Sequence, residues 1–190
     1  MLDKHIEQLR KIIDTCLIHK QRLDYAYSKI GHLFPITEEL YYTLKDDDMA
    51  YIDQYIFRFA KYQDLIGGKL FKQILLTEGE AIENMSFRDI FNRSEKIGIA
   101  EDWEQWFELR QMRNEISHES LKNESSPNDI KIYEGSMWPL KNKLYSHEYP
   151  VISDEGVSSL NKIILSLDYL QNAYSKCMAY LDSRNYDGKS

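Results

Sequence analysis

Apolar side chains recur every three or four positions along most of this chain, which is the period of an α-helix with one buried face. From about residue 3 to residue 30, Ile6, Leu9, Ile13, Leu17, Leu23, Tyr27 and Ile30 mark one long amphipathic helix, ended by Gly31 and Pro35. The run KDDD follows, with carboxylates that suit a helix N-terminus. Residues 49–76 then carry Ile52, Ile56, Phe59, Leu65, Leu70 and Ile74 through a second long helix. Gly67 and Gly68 cost that helix about 1 kcal/mol each in propensity, so they mark a kink or the close approach of another backbone.

A shorter helix fits residues 86–99, with Ser86 as N-cap, Asp89 as the acidic half of a capping box, and Gly98 near its end. Residues 100–122 form a further helix. From Asn123 to Pro150 the periodicity lapses: NESSPND is turn chemistry, IKIY fits a short strand, and Pro139 and Pro150 preclude a continuous helix. So long a connection is either ordered around the core or functional, and Trp138, Tyr145 and Tyr149 favour order. Ser153 caps a last helix whose stripe is Val157, Leu160, Ile164, Leu167, Leu170, Tyr174 and Met178.

The expectation is an all-α fold, an up-and-down bundle of four to five helices with an irregular connection over about 123–152. Residues 1–190 read as a single domain with a disordered tail at 184–190. Cys16 and Cys177 lack zinc or redox spacing and read as reduced thiols. With no signal-peptide core and no membrane-length apolar run, the chain reads as soluble and cytoplasmic. A net charge of −7 excludes coating of nucleic acid or anionic membrane by bulk electrostatics and leaves only a local basic cleft.

The helix at 100–122 carries the chemistry. Stepping about 100° per residue places Trp103, Trp106 and Phe107 on one face, continued by Arg110, Asn114, Ser117, His118 and Leu121. Leu109, Met112 and Ile116 make a second apolar stripe nearly opposite, so the helix is expected to be largely enclosed. Arg113 and His118 are offset by about 140° and flank the small groups of Asn114 and Ser117, where an anion such as a phosphodiester would fit. Arg stays charged and offers a planar fork to phosphate oxygens, and His exchanges protons near neutrality. In RNA the 2′-hydroxyl is the nucleophile, so such a site needs neither metal nor cofactor. In the plainer reading Arg113 pairs with an acid such as Glu108 or Glu115 and His118 caps the helix end. Asp64, amid apolar neighbours, is a candidate to fix a buried Arg.

RNEISH at 113–118, late in a helix of an all-α bundle, resembles the R-x(4–6)-H motif of HEPN domains. FRFAKYQDLIGGKLF at 57–71 is similar to the RF-x-K-x-QD-x-x-G-x-K segment of HEPN-like toxin proteins. The resemblance implies a homodimer with facing motif helices. It further implies metal-independent endoribonuclease activity on RNA, in a prokaryotic toxin–antitoxin or defence system. Arg113 would then bind phosphate and stabilise the transition state, His118 would act as acid–base, and Asn114 would assist. Two residues after the His, many such toxins carry a Tyr to which a nucleotidyltransferase antitoxin attaches AMP; here it is Ser120.

A dimer would gather Arg110, Arg113 and their symmetry mates into one cleft. Arg58, Lys61, Lys69 and Lys72 on the second helix either rim it or form a solvated face. The alternative function is that of a non-catalytic HEPN partner or substrate-binding subunit of a nucleotidyltransferase. His5, His19, His32 and His147 share no metal-site spacing, and Trp138, Tyr145 and Tyr149 beside Lys141 and Lys143 offer a further place for bases to stack.

Overall fold

The computed structural model describes residues 2–122, 154–184 and 186, including side chains except at 115 and 117–122. Among these residues every regular element is helical: α1 Leu2–Ile30, α2 Glu38–Tyr41, α3 Asp46–Leu65, α4 Phe71–Thr77, α5 Phe87–Lys96, α6 Trp103–Lys122, α7 Asp154–Leu165 and α8 Leu167–Ser183. The irregular connection, with its proposed strand and aromatic residues, lies outside them.

α1 buries Leu9, Ile12, Cys16, Leu23, Ala26 and Ile30, each apolar side chain of leucine size contributing about 1.5–3 kcal/mol. Leu17, expected on this stripe, is instead 43% exposed beside Ile18 at 50%. Cys16 takes the inner position, and the next residue points about 100° away. A 3-10 turn at Gly31–Leu33 closes the helix, and the Phe34–Pro35 peptide after it is cis. Ile36 is then held by Asn161 of α7, whose Oδ1 accepts its N–H at 2.6 Å and whose Nδ2 donates to its carbonyl at 2.8 Å.

The acidic first turn of α3 works as the sequence suggests, Asp48 accepting the N–H of Lys45 at 3.3 Å. At the glycine pair the rod changes pitch. Ile66–Leu70 is a π-helical turn, with the Phe71 N–H reaching back five residues to the Ile66 carbonyl, before α4 resumes. α5 begins with the expected box: Ser86 Oγ accepts from the Asp89 N–H at 3.2 Å while Asp89 accepts from the Ser86 N–H at 3.0 Å. Gly98 beyond its end has φ +81°, open to glycine without strain.

The last helix, expected to be one piece, is two. Ser166 leaves helical geometry, and its hydroxyl bonds the Lys162 carbonyl at 2.6 Å, competing with the backbone ladder. One apolar stripe nevertheless runs through both pieces, with Val157, Leu160, Ile164, Leu167, Leu170 and Tyr174 buried. At the end of the described residues Tyr186 packs partly against the core and Arg184 lies 3.7 Å from Glu78.

Pairings across the bundle give its direction. Tyr27 meets Tyr55 and His19 meets Arg58, so α1 and α3 run antiparallel. Gln63 reaches Trp106 and Ala60 reaches Arg113, so α3 and α6 do too. Lys162 pairs with Glu108 and Tyr169 bonds Glu101, so α6 opposes α7 and α8. This is an up-and-down bundle, with α5 contributing Phe87 and Phe91 to an aromatic cluster around Phe71, Trp103 and Trp106. No helix of the described residues is long and apolar enough to cross a membrane.

Candidate functional site

The two segments that carry the motifs meet where the end of α3 crosses α6. Gln63 is 1% exposed and donates from Nε2 to the Trp106 carbonyl at 3.0 Å. One residue on, Asp64 receives the guanidinium of Arg113, Nη2 to Oδ1 at 2.7 Å and Nη1 to Oδ2 at 3.1 Å. Nη1 also donates to the Ala60 carbonyl at 2.9 Å. The pair is lopsided: the Arg113 side chain is 7% exposed and that of Asp64 52%. A buried cation is tolerable because the carboxylate and carbonyl replace its water, and two parallel N–H···O contacts fix its plane.

Gly67 explains the change of pitch. A Cβ there would stand 2.7 Å from Cζ2 of Trp106, closer than real side-chain atoms approach, so only hydrogen fits between the π turn and the indole. Of the two expectations for the glycine pair, a kink or the close approach of another backbone, the rod does change pitch here, and the close neighbour is a ring, not a backbone. Gly68 meets nothing within 4 Å. Gln63, Asp64, Gly67, Gly68, Phe87, Trp106 and Arg110 line a concavity of about 120 Å³. The Arg110 guanidinium lies 5.3 Å from the Phe87 ring centroid, beside its face.

Of the expected residues, Arg110 and Arg113 are thus brought to one junction with Asp64. Asn114 is exposed, against the expectation that this polar face is enclosed. Arg113 is not at the edge of an open anion groove; it points inward, because the residues of α6 at 109, 113 and 116 turn toward the core and Asp64 waits there. Its fork goes to Asp64 and not to Glu108, which pairs with Lys162; the Glu115 side chain lies outside the described residues. The side chains of Ser117 and His118 lie outside the described residues.

Arg58 and Lys61 belong to a different flank of α3. Arg58 Nη1 lies 3.4 Å from His19 Nδ1 on α1, and both cations stand over the Phe57 ring, at 5.0 and 5.7 Å. Asp53 shares the Asp64 side of α3, three turns upstream, and burial pushes its carboxyl up to about 7. It was not legible in the sequence as a perturbed acid, since nothing local encloses it. No group of three or more His, Cys, Asp or Glu suited to hold a metal occurs among the described residues.

No family model matches this sequence, and neither a curated protein nor a solved structure is significantly similar to it.

Proposed function

We propose that the chain is a metal-independent endoribonuclease of a prokaryotic toxin–antitoxin or defence system, working as a homodimer with facing α6 helices. The observation that carries this reading is the Asp64–Arg113 contact, which joins the two segments that each resemble HEPN proteins. Arg113 then acts as a positioning residue: with its fork held by Asp64 and Ala60, it sets the rotation of α6 and so the direction of Asn114 and His118. Arg110, half-buried at the concavity, supplies the cation for the phosphate. His118 removes the 2′-hydroxyl proton and the oxygen attacks phosphorus. The 5′-oxygen leaves with a proton from the imidazolium, giving a 2′,3′-cyclic phosphate and a 5′-hydroxyl.

A second reading has its own support. Both terminal nitrogens of Arg113 are engaged and its side chain is 7% exposed, as suits a scaffold that binds a nucleotidyltransferase without cutting RNA. Purified protein incubated with RNA in chelator separates the two. The nuclease reading expects cyclic-phosphate products that vanish in His118→Ala and fall in Arg110→Gln. Intact RNA, with a stable complex formed with a nucleotidyltransferase, would establish the second reading instead.

A further inference from the structure

Away from the α3–α6 junction, the opposite flank of α3 gathers positive charge against α1. His19 and Arg22 are three residues apart on α1, and Arg58 and Lys61 are three apart on α3, so each pair shares a face and the two faces meet. The faces meet where Arg58 Nη1 lies 3.4 Å from His19 Nδ1. Since Arg only donates, the imidazole accepts at Nδ1 and its Nε2–H is left as a further donor. Among the described residues no carboxylate lies within ion-pairing distance of Arg22, Arg58 or Lys61; the ion pairs all form elsewhere. Nearby Asp24 is taken by Lys20 and Gln171. Arg58 Nε is buried without a hydrogen-bond partner among the described residues.

Three cations and an imidazole packed together on a protein of net charge −7 repel one another, and a bound anion relieves that cost. We infer that His19, Arg22, Arg58 and Lys61 form a phosphate-binding site on the α1–α3 face, whose natural occupant is a phosphodiester of single-stranded nucleic acid. The choice of a polynucleotide rests on the proposed RNA chemistry; the phosphate site itself does not. The groups acting on His19 agree with it. Burial first, then Arg58, Arg22 and Lys61, hold its pKa below the usual imidazole range, so it is neutral in the free protein near pH 7. An anion reverses the balance and draws a proton onto Nδ1, releasing the Arg58 guanidinium from the ring toward the phosphate, so binding strengthens as pH falls.

The test uses a short labelled oligodeoxyuridylate, which lacks the 2′-hydroxyl and cannot be cut, so binding is read separately from cleavage. Its anisotropy titration should weaken with salt, each phosphate contact contributing a slope of about −0.7 in log K against log salt. Arg22→Gln and Arg58→Gln should each reduce the slope by about that amount. Arg93→Gln, which breaks a pair with Glu80 elsewhere, should not. His19→Gln should flatten the affinity between about pH 5 and 8. Arg22 is exposed, so its variant reports even where Arg58→Gln misfolds. Inorganic phosphate competing only weakly supports the polynucleotide; competition at equal concentration supports a free phosphate as occupant. Absence of salt-dependent binding, or Arg22→Gln and Arg93→Gln behaving alike, would overturn the site even if the protein cleaves RNA.

Discussion

Asp64 grips Arg113 through both carboxylate oxygens, at 2.7 and 3.1 Å, with the cation enclosed and the acid half in water. The asymmetry decides which half can be lost.

Removing the acid takes the balancing charge from a desolvated guanidinium; removing the base leaves a carboxylate that water can reach. Asp64→Ala should therefore cost about 2–4 kcal/mol, discounted for its exposure, and Arg113→Met less than about 2 kcal/mol. Urea unfolding of the two variants measures the order, and equal losses would contradict the one-sided burial.

The two glycines of the π turn should respond in opposite directions. Gly67→Ala drives a methyl into the Trp106 ring and should destabilise by about 1–3 kcal/mol. Gly68→Ala meets open space and should gain roughly 0.5–1 kcal/mol from helix propensity. Paired thermal melts check both signs.

Asp53 should make the protein lose stability as pH rises. Its carboxyl titrates near 3.8 unfolded and at about 7 folded, so between those values the native state holds a proton the unfolded chain lacks. Stability falls across that window and levels above it. Asp53→Asn should abolish the slope and exceed the parent above pH 7 by roughly 1–3 kcal/mol. Denaturant midpoints taken at intervals from pH 4 to about 8 read this directly.

Cys16 and Cys177 should ignore thiol reagents in the native state. Both are free and buried; burial pushes the Cys16 thiol up to about 12 and Cys177 higher still. Labelling should follow global unfolding, with a rate set by denaturant. Prompt modification in native buffer would contradict the packing between α1 and α8.

The helices were legible because their signals are local: the three- and four-residue spacing, the Ser86–Asp89 box, the glycine after α5. What failed had no local sign. Leu17 and Cys16 fit the same pattern one step apart, and only the facing helix selects Cys16. Ser166 breaks the final helix by a hydroxyl bond that the apolar stripe conceals. At the candidate site, Asp64 could be suspected of holding an arginine, yet the choice of Arg113, 49 residues away, is made by the crossing of α3 and α6. His19 carries no local mark either; what sets it apart is Arg58 on another helix.

The amide of Asn161 clasps both backbone groups of Ile36 across 125 residues of sequence. The turn that reverses the chain after its first helix is thus fastened by a side chain synthesised 125 residues later. Until then the opening hairpin has a loose corner, and final locking waits for the closing helices to dock.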